Sequence, residues 1–192
     1  YVRVQLGGSN ALSLAEVQVY GIAMATTVLS TGKPATQSST AFSGDAARAV
    51  DGNTDGFWWN NSVTHTTAEP QPWWQVDLLQ AAALTQVTLY NRLDCCGDRL
   101  SDVYLFVSAN DMTGRTLAQL AADPNVVTQR VVSLNGAPSV TIPLGGRNGR
   151  YVRVQTGGAN PLSLAEVQVQ GAGGAGATLL SQGGIALQSS TG

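Results

Sequence analysis

Lysine is almost missing from this chain. Lys33 is the only one in 192 residues, and Lys, Arg, Asp and Glu together make up 11% of the sequence. With a net charge of −2 there is no basic face for a nucleic acid backbone to follow. Histidine occurs once, as His65, and cysteine only as the dipeptide Cys95-Cys96. That inventory has no spaced ligand set for zinc. Adjacent cysteines cannot staple distant strands; oxidised together, they form only a small rigid ring. No run of about 18 apolar residues is present, so membrane insertion by a helix is not expected. Neither a nucleophile-elbow sequence nor a glycine loop opening a helix appears. Glycoside hydrolysis needs one carboxyl protonated, and the nearest pair, Asp94 and Asp98, is flanked by Arg92 and Arg99, which hold carboxylates ionised. These absences argue against an enzyme.

What is present is alternation. Residues 73–78, 85–91, 102–108, 129–134, 139–144, 150–155 and 165–170 each repeat apolar and polar side chains with the period of two of a half-buried strand. Asn135-Gly136, Gly145-Gly146 and Asn148-Gly149 read as turns between them. Only residues 46–50 and 115–122 suggest short helical turns. The pattern predicts an all-β fold, a β-sandwich of jelly-roll type with about eight mainly antiparallel strands. Trp73 and Trp74, opening a strand, are expected in the core; Arg150 and Arg153 are expected on a solvated face. Low charge with abundant Gly, Ser, Thr and Val fits a secreted protein.

The chain also repeats itself. Residues 1–21 return at 151–171, differing only at Leu6/Thr156, Ser9/Ala159, Ala11/Pro161 and Tyr20/Gln170. Residues 29–40 return, more loosely, at 180–191. A spacing of about 150 residues is the size of a domain, not of a solenoid unit. The organisation expected is one complete copy at 25–171, the end of a preceding copy at 1–24, and a linker with the start of a following copy at 172–192. Residues 22–27 and the Gly/Ala-rich 172–178 are the expected linkers. The flanking pieces are too small to bury a core, so packing or strand exchange with a neighbouring repeat or chain is expected of them.

The densest chemistry is NRLDCCGDR at 91–99, where two guanidiniums sit close to a carboxylate. Arginine offers five fixed donors and no acceptor, a geometry made for gripping oxygens. The spacing from His65 to Arg92, Asp94, Cys95-Cys96 and Arg99 resembles the motif of the F-type lectins (fucolectins). So do GKPATQSST, RAVDGNTDG, SVTHT, WWQVDL, LYNR, GRYVRVQ and LSLAEVQV, which together span residues 25–171. The resemblance implies a discoidin-like jelly roll that binds α-L-fucose on glycans without catalysis. In this reading His65, Arg92 and Arg99 supply fixed donors to sugar hydroxyls and the ring oxygen. Asp94 orients both guanidiniums, and Cys95-Cys96 forms a vicinal disulfide that serves as an apolar shelf. Phe57, Trp58 and Trp59 belong to the rim, with Trp59 favoured over Trp58 for contact with the sugar methyl, and Phe42 is a second rim residue.

The resemblance also implies a structural calcium ion. Its ligands would be the Arg48 and Ala165 carbonyls with the side chains of Asp51, Asn53, Ser62 and Glu166, a hard-oxygen set of the kind Ca²⁺ takes. Asn60-Asn61-Ser62 is also a glycosylation sequon, but the calcium reading gives Ser62 another task. The partners implied are fucosylated glycans. Two other readings keep the fold: a glycan-targeting module of a larger hydrolase or toxin, or an adhesion module that docks on protein or lipid through exposed apolar spikes.

Overall fold

The computed structural model describes residues 2–18, 20–21, 26–172 and 178–179. Their strands are β1 (Tyr20–Gly21), β2 (Thr26–Val28), β3 (Ala35–Gln37), β4 (Trp73–Asn91), β5 (Ser101–Ser108), β6 (Val127–Ser133), β7 (Ser139–Thr156), β8 (Leu164–Ala172) and β9 (Thr178–Leu179). The chain divides into two compact units, Thr26–Gly173 on one hand and Tyr1–Ala25 with Gly174–Gly192 on the other.

In the larger unit the strands join in the order β2-β8-β4-β7-β5-β6, with β3 added on β4. Every pairing is antiparallel. The all-β expectation holds, with one difference in how strands are counted. Residues 73–78 and 85–91 are one strand, β4, and residues 139–144 and 150–155 are one strand, β7. Gly145 and Gly146 have positive φ yet do not end β7; they bend it. Leu79, also at positive φ, lies in the stretch where the β4–β7 register jumps between Asp77 and Ala82. The first half of β4 therefore pairs β3 and residues 151–155, while its second half pairs β8 and residues 139–149. Strands that bulge and change sheets make the corners of a sandwich.

The core lies between these layers and includes Trp74, Val76, Val87, Leu89, Leu105, Val154 and Val167, all fully buried. Trp74 adds a hydrogen bond from its indole N–H to the Ala46 carbonyl at 2.9 Å. Asn135 and Gly136 both take positive φ and turn β6 into β7, as the Asn-Gly pair predicts. Residues 46–50 form a 3-10 turn. A short helix, α1 (Leu117–Ala121), starts at a capping box between Thr116 and Gln119.

Arg153 departs from expectation. The loop after β5 carries Met112 and Leu120, which bury against Phe106 in a second apolar cluster. The β7 face there is covered rather than solvated. Arg153 is wholly buried, its guanidinium 4.1 Å from the centre of the Trp73 ring, donating to Gln75 Oε1 and the Arg115 carbonyl. Burial lowers its pKa to about 10. Arg150 remains half-exposed and forms a two-pronged pair with Asp77. Trp73 is half-buried, serving as the platform for Arg153.

Residues 26–27, expected in a linker, are part of β2, where Thr26, Thr27 and Val28 pair Ala172, Gly171 and Gln170. Most of the expected linkers, 22–25 and 173–177, lies outside the described residues, as does nearly all of the expected following copy. In the smaller unit residues 2–18 carry no helix or strand and are exposed throughout. β1 pairs β9 antiparallel, Tyr20 opposite Leu179 and Gly21 opposite Thr178.

Candidate functional site

Three loops, carrying in chain order Phe42, Trp58 and Arg92, meet where β4 ends. Asn91 fixes the third of them: its side-chain oxygen accepts from the Arg92 amide, and its amide nitrogen donates to the Gly97 and Ala137 carbonyls. Gly56 lets the second loop approach, because a Cβ there would lie 2.6 Å from the Asn91 carbonyl oxygen. Phe42, Trp58, Trp59, His65 and Arg92 line an open pocket of about 430 Å³ at this junction.

His65 is buried at its centre. Its amide donates to the Gly44 carbonyl at 2.8 Å and its carbonyl accepts from Ala41 at 2.9 Å. Between those contacts Phe42 and Ser43 both adopt positive φ (52° and 56°), and the Gly44 amide closes the turn onto the Ala41 carbonyl. Two consecutive left-handed L-residues cost on the order of 1–2 kcal/mol each. The double hydrogen bond to His65 holds them there. Gly44 is obligatory at this contact, since a Cβ would come within 2.6 Å of the His65 nitrogen. The sequence reading overlooked this turn.

The imidazole is fixed as well. Its Nδ1 lies 2.6 Å from the Thr66 carbonyl oxygen, which can only accept, so Nδ1 carries the proton. Burial first, and then the positive charges of Arg92 and Arg99, lower its pKa below the usual histidine value. The ring is therefore neutral and its Nε2 is an acceptor. Phe42 and Trp58 stand edge-on to it at 5.4 and 5.5 Å.

Arg92 donates from Nε to Asp94 Oδ1 at 2.8 Å and from Nη2 to Oδ2 at 2.9 Å. Asp94 also accepts from the Trp58 amide at 3.2 Å. These contacts, the Arg92 pair first, lower its pKa to about 2. Among the described residues its partners are Arg92 and Trp58, so it braces one guanidinium and a rim loop rather than both arginines. Arg99 closes a 3-10 turn, its amide bonded to the Cys96 carbonyl, and lies within electrostatic reach of His65. Cys95 and Cys96 are disulfide-bonded to each other, with Cys96 at φ 58°. Trp58 packs at the centre of the rim, with the Arg92 and Arg48 guanidiniums 5.1 and 5.5 Å from its ring centre. Trp59 and Phe42 stand open on the rim, 82% and 79% exposed.

Glu166, one of the expected cation ligands, has another, Asp51, within electrostatic reach. Its carboxylate is fully buried and neither oxygen has a hydrogen-bond partner. Burial first and the charge of Asp51 second push its pKa up to about 7; the approaching amides of Gly52 and Asp51 offset this only in part. Tyr90 pairs Glu166 and Asn91 pairs Leu164, so Ala165 is the extra residue of a β-bulge, its backbone groups out of the ladder. Ser62 is buried, donating to the Phe57 carbonyl at 3.0 Å. Asp51 and Asn53 are exposed and linked by an Asx-type bond. An orphaned buried carboxylate within reach of the charge of Asp51, with the carbonyl that the bulge frees at Ala165, is oxygen chemistry of the kind a hard divalent cation takes. Among the described residues no group of three or more His, Cys, Asp or Glu side chains is placed to hold a metal ion.

Fold and pocket together define a sandwich domain built to hold a small polar molecule at its loop end. The chain belongs to the NedA-like, galactose-binding domain family (F5/F8 type C), whose profile matches residues 48–154. Within that company it is similar to the fucolectins. Fucolectin-6 of Anguilla japonica is 45% identical over 66 residues, covering 34% of this chain and 36% of that protein. The chain thus spans about a third of the length of the first curated relatives it matches. Among solved structures, the lectin binding domain of Lectinolysin, a His 62 mutant complexed with Lewis b, superposes with a TM-score of 0.66 at 38% identity. That match covers 77% of this chain and 97% of that one. A Streptococcus pneumoniae fucose binding module gives 0.65 at 35%, covering 74% and 96%.

Proposed function

We propose that this domain is a non-catalytic, extracellular lectin unit that binds the terminal α-L-fucose of glycans. The observation that carries the reading is the neutral, Nδ1-protonated His65 set beside Arg92 under an aromatic rim. A sugar hydroxyl is both donor and acceptor. An axial hydroxyl that gives its proton to His65 Nε2 and accepts from Arg92 and Arg99 is matched on every side, which a lone donor site cannot offer. The Arg92–Asp94 pair keeps the guanidinium aimed while leaving its remaining N–H groups for the sugar. Phe42, Trp58, Trp59 and the Cys95-Cys96 ring supply the apolar wall that a 6-deoxy sugar rewards, about 0.8 kcal/mol for a buried methyl. Relatives whose names record fucose binding, or a complex with Lewis b, support the choice of sugar. Asp94, held ionised, is no general acid, which supports binding without bond cleavage.

Calcium would sit between the Arg48 and Ala165 carbonyls and the side chains of Asp51, Asn53, Ser62 and Glu166, supplying positive charge to the orphaned carboxylate and tying the early loops to β8.

Calorimetry with L-fucose and D-galactose tests the sugar reading, with Arg92→Ala as control. The expected outcome is fucose binding lost in the variant; no fucose binding, or binding indifferent to Arg92, ends it. The exposed Phe42 and Trp59 favour one alternative, adhesion to protein or lipid. That activity would survive Arg92→Ala and fail on removal of the two aromatics.

A further inference from the structure

Arg92, Arg115, Arg130 and Arg150 each face an aspartate. Arg48, half-buried, has no acidic partner among the described residues. It sits in the 3-10 turn Ala46–Val50, where Ala46, Ala49 and Val50 are buried. Its guanidinium makes three other contacts. Nη1 donates to the Val63 carbonyl at 3.2 Å, Nη2 donates to Asn61 Oδ1 at 3.5 Å, and the group lies 5.5 Å from the centre of the Trp58 ring. Charge that elsewhere meets a carboxylate is here spent on two carbonyl oxygens and a ring face.

Those contacts fall on two separate pieces of the site. Trp58–Asn60 is a 3-10 turn closed by Asn61, which is left-handed at φ 58° and returns its amide to the Trp58 carbonyl at 3.0 Å. Val63 stands two residues before His65, in a segment fixed to the start of β8. Thr64 and Thr66 each donate an amide to the carbonyls of Leu164 and Leu162, and each hydroxyl accepts the amide of the same leucine. One guanidinium therefore ties the rim turn to the fixed segment that carries His65.

Trp58 is what the tie holds. Its ring stands edge-on to His65 at 5.5 Å and 5.1 Å from the Arg92 guanidinium, so its placement shapes the space between two groups assigned to the sugar. Asp94 accepts only its backbone amide, which leaves the side-chain torsions unconstrained. Arg92 also faces the ring, but in the sugar reading it must reach the ligand as well. Trp59, the next residue, has neither guanidinium over it and is 82% exposed, whereas Trp58 is half-buried.

We infer that Arg48 is a positioning residue of the sugar pocket: outside the pocket lining itself, it sets the Trp58 ring against His65. This role rests on the sugar reading. It is separate from the Arg48 carbonyl assigned to a cation, which substitution of the side chain leaves in place.

The test uses the full chain labelled with 5-fluorotryptophan, whose four tryptophans are followed by fluorine NMR. Trp58→Phe and Trp74→Phe assign the two signals that matter. Arg48→Met keeps most of the stem and removes donors and charge; Arg48→Lys keeps the charge without the fork. Arg48→Met should shift the Trp58 signal, leave the Trp74 signal in place and weaken fucose binding about fivefold, with Arg48→Lys between it and the parent. Trp74 is the internal control, because its indole donates to Ala46 in the same turn as Arg48. A residue that merely kept that turn folded would move Trp74. A double-mutant cycle supplies the second measurement: in a Trp58→Leu background, Arg48→Met should cost less than about twofold further affinity, since the ring it acts on is gone. A Trp58 signal that ignores Arg48, a Trp74 signal that moves with it, or additive losses in the cycle overturns the inference. So does loss of the cooperative melt in Arg48→Lys. The fluorine signals need no ligand, so a parent chain that fails to bind fucose ends the sugar reading alone, and the hold of Arg48 on Trp58 is still decided.

Discussion

Arg92 and Asp94, with one residue between them, are joined by two parallel hydrogen bonds of 2.8 and 2.9 Å, and the same carboxylate caps the Trp58 amide. One acidic side chain therefore fixes both the polar and the aromatic wall of the pocket. Replacing it with the isosteric amide, Asp94→Asn, removes the charge and one of two acceptors. Fucose affinity should fall about tenfold, about 1.4 kcal/mol, by calorimetry. An unchanged affinity would show that Arg92 needs no brace.

Histidine chemistry sets the pH range. The pKa of His65 is lowered by burial and by Arg92 and Arg99, so the folded protein prefers the neutral ring. Stability from this group is complete above the unfolded value of about 6.5 and is lost as pH falls through the lower folded value. Protonation also destroys the Nε2 acceptor. Fucose affinity should be flat from about pH 8 to 6.5 and decline at more acidic pH, while His65→Gln should bind weakly with no such decline. Titrations at stepped pH decide it.

The Phe42-Ser43 turn predicts an exchange of stability against design. Ser43 is exposed and left-handed, so Ser43→Gly should raise the melting temperature by a few degrees, on the order of 1 kcal/mol, with affinity little changed. Gly44→Ala should lower both, because the added methyl meets the His65 backbone. Differential scanning calorimetry with a fucose titration separates the two.

A cation at Glu166 should appear as linkage. Added calcium should raise the melting temperature progressively with its concentration, and chelation should reverse the gain. Glu166→Gln, which keeps shape but removes charge, should abolish the response. Melting that ignores calcium in the parent chain would exclude the site.

Much of this could be read from the chain because its signals are local. Alternation placed the strands, Asn135-Gly136 placed a hairpin, and the 91–99 cluster with His65 pointed to one pocket. What escaped depends on contacts distant in sequence. Glycine pairs looked like the end of a strand at Gly145-Gly146, yet β7 bends and continues because β4 pairs with it on both sides of the bend. Arg153 carries a polar label, and only the loop bearing Met112 and Leu120 turns its face inward. The proton on His65 is set by a carbonyl that no residue type announces, and the Phe42-Ser43 turn by the His65 backbone. Trp58 and Trp59 are neighbours with the same chemistry. Asp94 and the two arginines stacked on Trp58 separate their roles.

The register of β8 carries a geometric consequence. Its first residue, Leu164, lies beside the pocket loops, bonded to Thr64, and its last, Ala172, pairs with Thr26. Eight residues of extended chain put about 27 Å between them. Thr26 and Ala172, at the two ends of the larger unit, therefore lie side by side at the far end of β8 from the pocket loops. The strand that reaches the pocket loops at one end thus meets the first strand of the unit at the other.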